Sequence, residues 1–196
     1  MKRDAFFQPE NFWRFAGMSY EAEHDPSLFV AQEATIESVL AGLEFQTVLD
    51  VGCGFGRIGE IVRKVRPGAA YTGFDVSPDQ IAGAQRRLGG WAELHVESVE
   101  SFSGWRDVQG ERRWDLVLAV EVLMHQPPAD VGDVVAKVFD WSAGYVLTCD
   151  WWREENDAGG NEWNFPHDYP ALFGSRLCEV DPLDGQGVFL SRVVLR

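Results

Sequence analysis

Basic residues are scarce in this chain. Over 196 residues, 17 Lys and Arg stand against 31 Asp and Glu, a formal net charge of −14. A surface that acidic repels phosphate backbones, and the cations present (Arg63, Lys64, Arg66, then Arg86, Arg87, then Arg112, Arg113) are scattered rather than aligned in a stripe, so no nucleic-acid partner is expected. Cysteine is scarce too. Cys53, Cys149 and Cys178 form an odd set with no C-x-x-C spacing and no companion His cluster, which argues against a disulfide framework and against any metal site. No eighteen apolar residues run together, so no membrane span is expected. The first eight residues are charged and lack the sustained apolar stretch of a signal peptide, and with unpaired thiols this points to the cytoplasm. Internal repeats and low-complexity segments are missing as well.

What is present fits one domain over residues 1–196. Apolar residues make up 45% of the chain, enough for a substantial core, and the length leaves no room for a separate substrate domain. The densest signal is Val48-Leu49-Asp50-Val51-Gly52-Cys53-Gly54-Phe55-Gly56-Arg57, followed by Asp75 nineteen residues after Gly56. An apolar run ends in an acid, three glycines alternate, and a helical pattern begins. That is a strand entering a glycine-rich turn that opens a helix, the frame of a nucleotide-like cofactor site. Glycine is required where a side chain would keep backbone and ligand apart. Asp75 closes the apolar stretch Tyr71-Thr72-Gly73-Phe74, where a carboxylate can accept from both hydroxyls of a ribose.

These residues resemble the first two motifs of the class I S-adenosylmethionine-dependent methyltransferases. The string from Gly54 to Gly59 also spells G-x-G-x-x-G, the dinucleotide fingerprint, but in that frame the first glycine sits two residues too far beyond the strand and Gly59 falls inside the helix. Started at Gly52, the sixth position is Arg57, where helix–strand packing needs a small residue. Electrostatics agrees: Asp50 suits a sulfonium and an ammonium better than a pyrophosphate. The resemblance implies S-adenosylmethionine as cofactor. It places contacts at Asp50, Gly52, Cys53, Gly54 and Gly56, at Asp75 and Val76, at Glu97 and Ser98 after the third strand, and at Val120 and Glu121 after the fourth.

The rest of the chain alternates strand and helix. Residues 1–24 are aromatic-rich without a period and read as an arm, short helix or lid, leaving 25–196 as the core. Asp25-Pro26 reads as the start of a helix carrying Phe29, Ile36, Val39, Leu40 and Leu43 on one face. Strands are expected over about 47–51, 70–75, 91–96, 114–120 and 145–149. Helices follow at Ile58, Ile61, Val62 and Val65, after Ser77-Pro78, and after Pro127-Pro128. Residues 176–180 and 188–195 then form a strand pair around a turn. The expected fold is a three-layer Rossmann-like α/β sandwich. Its mostly parallel seven-stranded sheet ends in an antiparallel C-terminal hairpin, the family's layout.

Chemistry beyond the cofactor is less defined. His125, just past the end of the fourth strand, is placed where open α/β sheets bind ligands and suits a general base, or else it pins the loop. Glu121 and Asp150, near strand ends, are further candidates, with cofactor or loop contacts as the alternative. His167, Asp168 and Tyr169 gather proton-capable groups after a long loop over 157–166, although Asp168 could equally cap a short helix. Tyr20, Trp151 and Trp152 are expected to contact substrate, and Trp163, Phe165, Tyr169 and the N-terminal aromatics could wall the same apolar pocket. The expected activity is methyl transfer to an O or N of a small-molecule acceptor. Non-methyl chemistry on the same cofactor, such as cyclisation of its aminocarboxypropyl arm, and a non-catalytic cofactor-binding module are the alternatives. Oligomeric state is not legible.

Overall fold

A computed structural model describes residues 8–23, 25–102, 106–107, 110–151, 163–183 and 186–193. Its centre is a sheet whose five parallel strands are β1 (Thr47–Val51), β2 (Ala70–Asp75), β3 (Ala92–Val96), β4 (Trp114–Val120) and β5 (Ser142–Trp151). Two further strands, β6 (Leu177–Leu183) and β7 (Gln186–Arg192), complete the order β3-β2-β1-β4-β5-β7-β6. Strand β7 runs antiparallel to both neighbours, wedged between β5 and β6. The seven-stranded sheet and its C-terminal hairpin are those expected from the sequence.

The middle strands are apolar on both faces because both faces are covered. In β4, Val117 and Ala119 enter one core, while Leu116, Leu118 and Val120 enter the other. Helices α2 (Val30–Ala41) and α3 (Arg57–Val65), with Leu88 of α4 (Pro78–Leu88), cover the second face through Ile36, Leu40, Ile58 and Val62. Helix α5 (Val131–Asp140) and the short α6 (Tyr169–Phe173) cover the first through Val134, Val138, Tyr169 and Phe173. Each large aliphatic side chain buried in this way contributes roughly 1.5–3 kcal/mol.

Four local expectations are revised. Asp25 does cap, accepting from Ser27 N at 2.9 Å, but the capped element is a 3-10 turn over Pro26–Leu28, and α2 starts only at Val30. Pro127-Pro128 opens a turn, with α5 beginning at Val131, because a residue that precedes proline is pushed out of the helical region. Strand β5 extends from 142 to 151, since β7 pairs with it from Tyr145 to Trp151. The aromatic arm contains a 15-residue helix, α1 (Pro9–Glu23), which packs on α4 and is joined to it by Glu21 with Arg86 and Arg87. No helix among the described residues is long and apolar enough to cross a membrane.

Candidate active site

The chain leaves β1 for β2 on one side and takes up β4 on the other, so a crevice opens beyond the carboxyl ends of β1 and β4. Two loops enter it. The loop after β1 has Gly52, Gly54 and Gly56 at φ 65°, 53° and 88°, backbone that L side chains avoid. A Cβ added at Gly52 would lie 2.6 Å from Val122 Cγ2, so this loop abuts the one after β4. Asp75 fixes the loop from the end of β2: its Oδ2 accepts from Gly54 N at 3.0 Å and its Oδ1 from Ser77 N at 2.8 Å. Burial pushes its pKa up, and the amides of Ser77, Gly54 and Val76 pull it back.

Acids dominate this end of the crevice. Asp50 is buried beside Tyr71, whose hydroxyl donates to Oδ2. Its pKa is raised to about 7, chiefly by burial, with Tyr71 and Arg57 opposing and the charge of Asp75 adding to the rise. Glu121 has φ 58°, making it the one non-glycine left-handed residue among those described. That strain, on the order of 1–3 kcal/mol, aims its carboxylate at Arg57 (3.2 Å) and lets it accept from Gln186 Nε2 (3.1 Å). Arg57 donates as well to Gln32 (2.7 Å) and pairs with Glu33 (3.2 Å), with its guanidinium 4.5 Å from the centre of the Phe29 ring.

The loop after β4 is anchored from below and from the side. Asp150, fully buried at the end of β5, accepts from Val122 N (3.1 Å) and Met124 N (3.0 Å) through Oδ1. Its other oxygen has no hydrogen-bond partner among the described residues, and burial raises its pKa to about 7. His125 Nδ1 lies 3.1 Å from Trp163 O, His167 Nε2 lies 3.0 Å from Gln126 O, and Phe165 N donates to Met124 O at 2.7 Å. These three contacts fasten residues 124–126 to 163–167. Burial pushes the His125 pKa down to about 4, so its imidazole is neutral near pH 7.

Between the loops lies a cavity of about 760 Å³, a size that suits a cofactor together with a small acceptor. Its lining includes Asp50, Gly52, Cys53, Gly54, Asp75, Val76, Glu97, Ser98, Val120 and Glu121, together with His125 and Trp151. Glu97 accepts from Ser101 Oγ at 2.8 Å. These are sequence-derived candidates that the fold brings together. Gly56 is not among the lining residues: it turns the chain into α3 and packs on α4, where an added Cβ would meet Leu88 and Ala84 at 3.1–3.2 Å. His167 and Tyr169 also lie off the lining. Tyr169 is buried against Phe173 and Phe189, because Pro170 and the Asp168 cap turn α6 into the core. Asp168 is that cap, accepting from Ala171 N at 3.0 Å, and Asp150 is a loop anchor. Trp152 lies outside the described residues, as does the side chain of Tyr20.

Several lining residues escaped sequence reasoning. Arg57 stood inside the quoted motif but was weighed only for its size. Gln186 reaches the site because β7 inserts beside β5, a pairing that no local pattern announces. The N-terminal aromatics were expected to help wall a pocket, and Phe12 and Trp13 do line it; what their spacing does not say is that Phe12 stacks on Trp163 (4.7 Å) or that Trp13 lies 4.5 Å from the His125 ring.

Known proteins with these features are methyltransferases. The sequence profile of the family described as "Methyltransferase domain" matches residues 49–142, from β1 to the start of β5. The ubiquinone biosynthesis O-methyltransferase of Nitrosomonas europaea is 33% identical over 116 residues, 57% of this chain and 46% of that protein; the chain thus spans about half the length of the curated relatives it matches. Two solved structures extend the likeness of fold to nearly the whole chain. Magnesium protoporphyrin IX methyltransferase from Synechocystis PCC 6803, with bound S-adenosylmethionine, aligns at TM-score 0.70 and 15% identity, covering 96% of this chain and 98% of that one. The 1,6-didemethyltoxoflavin-N1-methyltransferase of Burkholderia thailandensis aligns at 0.65 and 20% identity, covering 95% and 91%. With the glycine loop, the acid that ends β2 and the β3-β2-β1-β4-β5-β7-β6 sheet in place, residues 49–142 match a methyltransferase domain and the chain as a whole has the fold of S-adenosylmethionine-binding methyltransferases.

Proposed function

We propose that this protein transfers a methyl group from S-adenosylmethionine to an oxygen or nitrogen of a small molecule. The observation that carries the reading is the coupling of Asp75 to Gly54 N, which fixes a left-handed glycine loop against a cavity lined by acids and aromatic rings. The residues present fit the cofactor. Asp75 keeps lone pairs for the ribose hydroxyls, and Glu97, on the lining, is the acid this reading assigns to the adenine amino group. Asp50 and Glu121 bring negative charge where a sulfonium and an ammonium would offset it.

When bound, the cofactor supplies a methyl group already activated by positive sulfur. The chain's own share is alignment, exclusion of water and custody of one proton. Trp13 and Trp163 line the cavity and shield it from water. The Trp163 carbonyl can only accept, so His125 carries its hydrogen on Nδ1 and keeps Nε2 as a proton acceptor. A pKa near 4 makes His125 a weak resting base. It suits a proton that turns strongly acidic as the new bond to methyl forms.

Calorimetry and product analysis test this. A charge-assisted hydrogen bond is worth roughly 1.5–3 kcal/mol, so Asp75→Ala should weaken S-adenosylmethionine binding about 10- to 150-fold. Incubation with cofactor and small-molecule extract should yield S-adenosylhomocysteine. Unchanged affinity in the variant would remove the cofactor assignment. Methylthioadenosine as product would move the reaction to the aminocarboxypropyl arm, and binding without turnover would leave a cofactor-binding module.

A further inference from the structure

We infer that Gln32 is a positioning residue: with Gln186 it fixes the Glu121 carboxylate for the amino-acid end of the cofactor. This rests on the methyltransferase reading and extends it to two side chains outside the glycine loop and the strand-end acids. Gln32 stands on α2, Arg57 opens α3, Glu121 follows β4 and Gln186 begins β7. Four hydrogen bonds join these side chains into a closed ring. Arg57 donates to Gln32 Oε1 at 2.7 Å, and Gln32 Nε2 donates to Gln186 Oε1 at 2.9 Å. Gln186 Nε2 donates to Glu121 Oε1 at 3.1 Å, and Arg57 closes the ring on Glu121 Oε2 at 3.2 Å. An arginine only donates and a carboxylate only accepts. Each amide between them therefore has one allowed orientation, because turning either would set oxygen against oxygen or donor against donor.

The ring converges on Glu121. That residue sits at φ 58°, and its carboxylate is held from two sides by Arg57 and Gln186. Burial pushes its pKa up, while Arg57, Gln186 and Gln32 pull it back. Arg57, Glu121 and Gln186 line the cavity, whereas Gln32 is buried behind them and acts on a ligand through its partners. Strand order says which part of the cofactor Glu121 meets. Along the carboxyl edge of the sheet, Glu97 lies past β3 and Asp75 at the end of β2; beyond β1 and its glycine loop comes Glu121, past β4. With Glu97 assigned to adenine and Asp75 to ribose, the aminocarboxypropyl arm extends over β1 toward Glu121. Its ammonium suits that carboxylate through a charge-assisted hydrogen bond. A carboxylate left free to rotate would give up part of that bond in side-chain entropy, which the ring has already removed.

Two ligands that share adenosine and sulfur test this: S-adenosylhomocysteine, which carries the amino acid, and methylthioadenosine, which has a methyl group in its place. By calorimetry the protein should hold S-adenosylhomocysteine at least about tenfold tighter. Gln32→Met keeps the side chain's length and removes both of its hydrogen bonds. It should weaken S-adenosylhomocysteine about 3- to 10-fold and methylthioadenosine less than about twofold. In a Glu121→Ala background the same substitution should shift S-adenosylhomocysteine less than about twofold, because the partner it acts through is gone. Gln32→Glu is the second variant: it keeps an acceptor for Arg57 but offers Gln186 an oxygen, turning that amide so that its own oxygen faces Glu121. It too should weaken S-adenosylhomocysteine and spare methylthioadenosine. Binding of neither ligand by the unaltered protein would defeat the methyltransferase reading itself. Equal affinity for the two ligands, an equal loss of both in the variants, a loss of neither, or an undiminished effect of Gln32→Met in the Glu121→Ala background would each overturn the inference and leave that reading in place.

Discussion

Gly52 and Gly54 carry the same backbone demand but different surroundings. Both have φ in the left-handed region, which costs an L residue roughly 1–2 kcal/mol. An added Cβ at Gly54 would meet only Gln80 Oε1, at 3.4 Å, whereas at Gly52 it would strike Val122 Cγ2 at 2.6 Å. Gly54→Ala should therefore lower unfolding free energy by about that conformational cost. Gly52→Ala should lose more, because Val122 cannot retreat while Asp150 holds its amide. A double-mutant cycle isolates the clash: Val122→Ala should offset part of the Gly52→Ala loss, giving a coupling of at least about 0.5 kcal/mol. Additive losses in urea titrations would mean that the two loops do not touch as described.

At the scale of elements, the cavity wall is two segments pinned together, residues 122–126 and 163–168, through His125, His167 and Phe165. The two histidines are bonded alike and differ in place. His125 lines the cavity, while His167 ties the back of the loop. His125→Ala should cut turnover by at least about 10²-fold, the low end of general-base loss, with cofactor affinity within a few-fold. His167→Ala should cost stability of about one hydrogen bond, roughly 0.5–1.5 kcal/mol, and change turnover less. The reverse ranking in steady-state assays would move the proton acceptor to the late loop.

These segments also show what the sequence carried. The bounds of β1, β2 and β4 follow from unbroken apolar runs between turn residues, because both faces of those strands are buried and nothing competes with the pattern. The glycine loop and Asp75 were legible because left-handed backbone and a strand-end acid leave marks in single residues. Arg57, Gln186 and the roles of Asp150 and Tyr169 were not. The partners of Arg57, Gln186 and Asp150 lie 24 or more residues away in the chain and Tyr169 packs on Phe189 of β7; which face a half-polar strand end presents depends on sheet order, which no local spacing encodes. His125 stood above His167 because it follows a strand end, while the path of the segment carrying His167 was not legible; that a distant helix, α1, would lay Trp13 beside His125 is written in no local spacing.

For the whole molecule, buried acids set the response to pH. Asp50 and Asp150 have folded pKa values of about 7 against 3.8 when exposed, so between those limits the native state holds two protons that the unfolded chain has released. Stability therefore falls as pH rises through this window. His125 works the other way: held near 4 against 6.5, it leaves the native state one proton short between those values, and its contribution is lost as pH falls. The net from about pH 4 to 6.5 is one extra native proton, a slope of about −1.4 kcal/mol per pH unit, steepening until the acids finish titrating near 7. Asp75 and Glu121, raised in the same direction by burial, add to the fall. The ligand-free protein should thus melt highest on the acid side of neutrality. Asp150→Asn keeps a carbonyl acceptor for Val122 and Met124 without a titrating proton, and should flatten the curve by about one proton. Salt at 0.5 M, which screens the −14 surface, should leave most of the slope because the titrating groups are buried. A cationic cofactor should reverse the bias at Asp50, so the rise in melting temperature from saturating S-adenosylmethionine should be larger at pH 8 than at pH 5.5. A ligand-free melting temperature that climbs from pH 5 to 7.5 would show that these carboxyls are ionised in the native protein, and the charge logic of the cavity would then have to be rebuilt from Arg57 outward.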